Sequence, residues 1–172
     1  MNGTVVWLTG LPSSGKSTLA QHVFEALHAR SVPVCVLDGD AVRAAITPPF
    51  GYDDVGREQF YATLSALAVL LARQGLTVLV PATANRRVYR TRCREAAPRF
   101  LEVYVRADKA TVRARDTKGL YASQERGGVS HLPGADAAYE APTDPDVTAE
   151  GGHDQTAVAS VLRALGVDRQ EP

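Results

Sequence analysis

Little in this chain points toward a large charged partner. Basic and acidic residues cancel at 19 each, so the formal net charge is zero. The basic excess that holds a protein on nucleic acid or on an anionic membrane surface is missing, so neither a nucleic-acid nor a membrane partner is expected. No apolar run approaches the ~20 residues that span a bilayer. The opening Met1-Asn2-Gly3-Thr4 lacks the basic segment and apolar stretch of a secretory leader. Cysteine is scarce: Cys35 and Cys93 show no C-x-x-C or Cys/His spacing and so offer no zinc site. Cys35, inside Val34-Cys35-Val36-Leu37, reads as a buried thiol, and two free thiols fit a reducing cytoplasm, the expected location.

What is present is ordinary in bulk and specific in detail. The 172 residues, 45% hydrophobic and 22% charged, suit a single domain over 1–172 with one core. Sixteen of the 19 basic residues are Arg, the cation whose planar fork matches phosphate. Short apolar runs at 4–9, 32–37, 76–80 and 100–105 read as buried strands, with a last short strand at 147–148. Between them, helical periodicity starts at Lys16 and recurs over 40–47, 57–74, 86–97 and 109–116, with a final helix through Val158, Val161, Leu162 and Leu165. Strands alternating with helices predict an α/β fold of three layers, a central parallel five-stranded sheet covered on both faces. The stretch 117–145 is rich in Gly, Ser and Pro and lacks periodicity. It is too long for a plain connector and reads as an ordered lid.

The strongest motif is Gly10-Leu11-Pro12-Ser13-Ser14-Gly15-Lys16-Ser17, which fits G-x-x-x-x-G-K-[ST] with a strand before it and a helix after it. Glycines let the backbone wrap a phosphate, the successive N–H groups of the loop built from Gly10, Pro12, Ser13, Ser14 and Gly15 turn inward (Pro12 itself has none to give), and the helix start adds its positive dipole end. Lys16 is expected on the β- and γ-phosphates, the Ser17 hydroxyl on Mg²⁺, and Thr18 on the α-phosphate. ATP and Mg²⁺ are therefore the expected cofactors, in a P-loop NTPase fold of the nucleotide-kinase type. The guanine-reading N/T-K-x-D segment is absent, since Thr117-Lys118-Gly119-Leu120 lacks the Asp. An apolar strand ending in an acid is absent too, since the third strand runs into Pro81-Ala82.

The acids stand on the second strand instead, in Asp38-Gly39-Asp40. Ligands gather at the carboxyl ends of parallel strands, so this pair should face the loop, with Asp38 in the metal shell and Asp40 orienting or deprotonating an attacking hydroxyl. The alternative is an Asp-Gly-Asp turn in which Asp40 caps the next helix. In the lid, Arg115 and Lys118 are placed to close over the transferring phosphate, with Arg115 toward the nucleotide. Arg113 reads as a solvated helix end. His131 is a candidate ligand contact, and the five arginines of 86–94 read as a solvated face, with Arg90 a second candidate for an anion.

Four blocks resemble the adenylylsulfate (APS) kinase family: Trp7 to Thr18, Leu37 to Arg43, Arg115 to Tyr121 and Gly134 to Pro142, in family order and spacing over roughly residues 4–165. The resemblance implies ATP-dependent phosphorylation of the 3′-hydroxyl of APS to give PAPS, with Mg²⁺, a small anionic acceptor as partner, and a homodimer. It implies that Arg43 and Arg57 hold the phosphosulfate and that Lys118, Gly119 and Leu120 border the acceptor. Departures from the pattern fall on that side. Ala41 and Phe60 stand where the family has Asn, Thr63 where it has Arg, Ala84-Asn85 where it has Ser-Pro, and Leu132 where it has the Phe that stacks on the acceptor's adenine. Phe60 and Leu132 are thus expected at the acceptor with altered contacts. The alternative reading is a related kinase that phosphorylates a hydroxyl of another small molecule, a nucleoside, nucleotide or secondary metabolite.

Overall fold

A computed structural model describes residues 2–116, 118–128, 130, 132–135 and 137–167. His131 lies outside them, as do Thr117 and Asp136 of the family-like blocks.

Five strands form one sheet: β1 (Thr4–Thr9), β2 (Val34–Val36), β3 (Thr77–Pro81), β4 (Phe100–Val105) and β5 (Val147–Ala149), in the order β2-β3-β1-β4-β5. Every pairing is parallel, with Thr4 opposite Thr77 and Val5 opposite Phe100. All six residues of β1 are buried, as expected of a central parallel strand with both faces covered. Their alternation splits the core. Val6 and Leu8 pack with α1 (Lys16–His28) and α7 (Gln155–Leu165). Val5 and Trp7 pack with α3 (Asp54–Arg73) and α4 (Arg87–Ala96). The result is three layers, helix on sheet on helix. Trp7 is fully buried and donates its indole N–H to Ala82 O at 3.1 Å, so its one polar atom is satisfied in the core. The chain leaves β1 for β2, returns to β3 beside β1 and crosses to β4. The switch in strand order therefore falls at the carboxyl end of β1, where ligands gather in open α/β sheets.

Boundaries differ from the sequence reading where side chains cap. The long helix starts at Asp54, not at Arg57, because the Asp53 carboxylate accepts from Gly56 N at 2.9 Å. The helix after β2 is α2 (Gly39–Ala45). The second strand shortens to three residues because β2 is an edge paired only with Val78 and its neighbours. The stretch 117–145 contains a helix, α6 (Leu120–Glu125), after α5 (Lys109–Ala114). Val112, Tyr121 and Leu132 form a third apolar cluster there, packed against Leu11.

Two consequences can be measured. Asp154 caps α7, accepting from Ala157 N at 3.0 Å and from Glu150 N at 2.9 Å, and these bonds hold its carboxyl below the ordinary value. A depressed carboxyl contributes stability above its unfolded value of about 4, and the contribution is lost as pH falls through the folded value. Asp154→Ala should therefore lower Tm at pH 7, with the gap to the parent chain closing below pH ~4; an unchanged gap would remove the cap from the account. The second consequence concerns the thiols. Cys93 is fully buried and its thiol is pushed up to about 12, chiefly by burial. Cys35, expected to be buried, is only partly so. Because the thiolate is the reactive form, iodoacetamide at pH 8 should label native protein at Cys35 before Cys93.

Candidate active site

The loop between β1 and α1 curls over the carboxyl end of the sheet. Its shape depends on glycine at two places. Gly15 has φ +102°, and a Cβ there would lie 2.5 Å from Gly152 N; a Cβ on Gly10 would lie 2.4 Å from Val105 O. Ser13 also adopts positive φ, 63°. The Ser13 and Ser14 hydroxyls are buried without a partner among the described residues, leaving donors beside the amides that would cradle a phosphate. Pro12 is held from the far side, its carbonyl accepting from the Tyr121 hydroxyl at 3.2 Å. Lys16 folds back on the loop, its Nζ donating to Gly10 O (3.1 Å) and Leu11 O (2.8 Å). Burial first and Lys118 second push the ammonium down to about 7, opposed by Asp40 and Asp38. A Cβ on Gly152 would lie 2.7 Å from Thr18 Cβ and one on Gly151 3.4 Å from Arg115 Nη1, so both side chains lie toward the β5–α7 turn.

The second strand delivers its acids to this loop. Asp38 Oδ2 accepts from the Ser17 hydroxyl at 2.6 Å. Its Oδ1 accepts from Asp40 N (3.0 Å) and Ala41 N (3.3 Å). Asp38 is thus the N-cap of α2, which corrects the alternative that gave the cap to Asp40. A hydroxyl and a carboxylate touching at the phosphate loop make an all-oxygen donor set, which suits Mg²⁺. Freed from capping, the Asp40 carboxylate is exposed and paired with Lys118. Lys16, Ser17, Asp38, Asp40 and Lys118 therefore form one connected group of charge and hydroxyl.

Next to Asp40, two arginines are drawn inward. Arg43 is 9% exposed, and its Nη1 donates to Phe50 O and Gly51 O. Arg57 is equally buried, its Nε donating to Tyr52 O at 2.8 Å. Gly119 caps α6 with φ +63°, and Leu120, the first residue of that helix, packs into the cluster around Leu11. Two side chains expected at the acceptor are buried: Leu132 is 5% exposed within that same cluster, and Phe60 is 2% exposed beneath Arg43.

Arg90 is not a solvated residue. It is 2% exposed and joins three segments, donating to Glu102 Oε1 at 2.6 Å, to Glu140 O at 2.7 Å and to Ala84 O. It works with Asn85, whose side-chain amide nitrogen donates to Ala138 O and whose backbone carbonyl accepts from Glu140 N, and with Thr9, whose hydroxyl meets the Tyr139 hydroxyl at 3.0 Å. These bonds pin residues 138–141 to the ends of β1 and β3. Sequence reasoning missed this strap, and its signal was weak: Tyr139 and Glu140 stood in a family-like block with no role to assign.

Comparisons with known proteins follow this geometry. The Adenylylsulphate kinase family pattern matches residues 2–150. The adenylyl-sulfate kinase of Citrobacter koseri is 38% identical over 98% of this chain and 84% of its own length. That of a Synechococcus strain is 40% identical over 84% of this chain and 83% of its own. Among solved structures, the Mycobacterium tuberculosis APS kinase CysC in complex with AMPPNP and APS superposes with a TM-score of 0.89, at 34% identity, covering 96% of this chain and 98% of that one.

Proposed function

Since the chain belongs to the adenylylsulphate kinase family, we propose that it moves the γ-phosphoryl group of MgATP to the 3′-hydroxyl of APS, yielding PAPS and ADP. The carrying observation is the convergence of two segments on one spot: Ser17 of the phosphate loop bonded to Asp38, and Asp40 of the same turn paired with Lys118.

In this reading the loop amides with Lys16 and Thr18 bind the triphosphate, and Arg115 closes the nucleotide side. Ser17 and Asp38 would hold Mg²⁺, which when bound offsets charge on the phosphates. Asp40 accepts the proton of the acceptor hydroxyl as its oxygen bonds to phosphorus and the bond to the departing ADP oxygen breaks. Lys118 already lies against Asp40, so a cation stands beside the place where charge develops. Residues 117–145 act as a lid whose returning segment at 138–141 is fixed by Arg90 and whose body rests on Leu11 and Pro12 of the loop. Closure over the site excludes water and strengthens each of these contacts.

Ala41, Thr63 and Leu132 favour testing a second acceptor class beside APS, because each replaces a family contact with a side chain that cannot make it. A coupled ADP-release assay with APS and a panel of nucleosides and small polyols separates the two. Saturable turnover with APS and none with the panel is expected; turnover of a panel member with none of APS would move the assignment to that acceptor. The family likeness also supports a homodimer working in the cytoplasm, and light scattering should return twice the chain mass. Among the described residues no helix is long and apolar enough to cross a membrane.

A further inference from the structure

Phe60 replaces a family Asn, and its place in the structure gives the replacement a role. The Arg43 guanidinium carbon lies 3.8 Å from the centroid of the Phe60 ring and 4.5 Å from that of Tyr52. Aromatic faces at this range attract a cation, more strongly where water is excluded, and Phe60 is 2% exposed. Nη1 is committed to two carbonyls, Phe50 O at 3.1 Å and Gly51 O at 3.0 Å. Both contacts act on the same group. The two rings lie against the guanidinium carbon and the two carbonyls hold Nη1, so the head of the side chain is restrained from several directions at once.

What is left is an edge. Arginine has five N–H donors, and Nε with Nη2 carries the three that make no hydrogen bond among the described residues. The parallel pair Nε–H and Nη2–H is the fork that grips two oxygens of one phosphoryl or sulfuryl group. An unstacked Arg on a short helix would sample many rotamers and lose that freedom on binding. A stacked one has lost it already. We propose that Phe60, together with Tyr52, is a positioning residue that locks the plane of Arg43 so that its Nε–Nη2 edge takes the anionic phosphosulfate of the acceptor in a bidentate grip. The identity of that anion rests on the APS reading above; the locking does not. The Asn that the family uses at this position could donate or accept a hydrogen bond but could not stack. The chain thus exchanges one polar contact for a stiffer arginine.

The test is a split between kinetic constants joined to a mutant cycle. Phe60→Leu keeps an apolar side chain and removes the ring face. It should raise the KM for APS about tenfold while kcat and the KM for MgATP stay within about twofold of the parent. In an Arg43→Lys background, where no planar fork exists, Phe60→Leu should add nothing further. Tyr52→Leu, at a position 63% exposed where folding is not at stake, should shift the APS KM in the same direction, so the proposal stays testable if Phe60→Leu does not fold. A second arm needs no substrate: inorganic sulfate titrated against the ¹⁵N-labelled protein, followed at the Arg43 Nε–H resonance. Saturable shifts are expected in the parent, with weaker affinity in both leucine variants. Equal sulfate affinity in parent and variants, or an undiminished Phe60→Leu effect in the Arg43→Lys background, overturns the proposal. So does a loss of MgATP affinity as large as the loss for APS. If the parent does not turn over APS yet binds sulfate in a ring-dependent way, the APS assignment falls and the positioning role stands.

Discussion

Lys16→Ala should lower turnover by at least ~100-fold, with the fold and melting profile retained. Removing one preorganised charge from developing transition-state charge commonly costs 10²–10³ in rate, and Lys16 is the ammonium of the phosphate loop. Its present contacts, Gly10 O and Leu11 O, are acceptors of the same loop, so the side chain needs only to swing from carbonyl to phosphate to engage a nucleotide. Burial already pushes its pKa down to about 7; a triphosphate arriving beside it restores the preference for the charged form. The alanine variant leaves no cation in that position, because Lys118, the other ammonium that acts on Lys16, is held by Asp40. Steady-state ADP release at saturating MgATP and acceptor is the measurement. Retention of more than about a tenth of the parent rate would take Lys16 out of the role given to it.

Asp40→Ala should cost at least ~100-fold in kcat through a different term. General-base assistance supplies about 10²–10⁴, and Asp40 is an exposed carboxylate beside Lys118 that is not engaged in capping, since Asp38 caps α2 and accepts from Ser17. The two acids therefore separate by experiment. Asp38→Ala removes a cap as well as a metal-side oxygen, so it should weaken MgATP binding and soften α2. Asp40→Ala should leave MgATP binding near the parent value and strike kcat. An Asp40→Ala enzyme with near-parent kcat would show that the carboxylate neither orients nor deprotonates the hydroxyl.

Local patterns carried the scaffold. The run Thr4–Thr9, the glycines of the loop and the apolar spacing of Leu19, Val23 and Leu27 lie next to one another in the chain, so strand, cradle and helix could be read together. The Asp38-Gly39-Asp40 turn was legible for the same reason, although its alternative reading gave the cap to Asp40 and the structure gives it to Asp38, whose second oxygen meets a hydroxyl 21 positions earlier. Arg90 could not be read. Its partners lie 6, 12 and 50 positions away, and in a segment with five arginines between 86 and 94 nothing in the local spacing marks one as buried. Phe60 was only half legible: family likeness put it at the acceptor, and the structure buries it beneath Arg43, the residue that the same likeness gives to the phosphosulfate. The start of α3 was within reach, since Asp53 ahead of the helix is an ordinary N-cap signal.

The claim at the centre is that a hydroxyl held by Asp40 receives the phosphoryl group of a nucleotide held by Lys16 and the loop amides. Phosphorus NMR of the reaction with APS tests it by locating the transferred group. The account predicts a new phosphomonoester on the 3′ oxygen, formed in step with ADP. ADP accompanied only by inorganic phosphate, or a phosphoryl group on any other oxygen of APS, would contradict it.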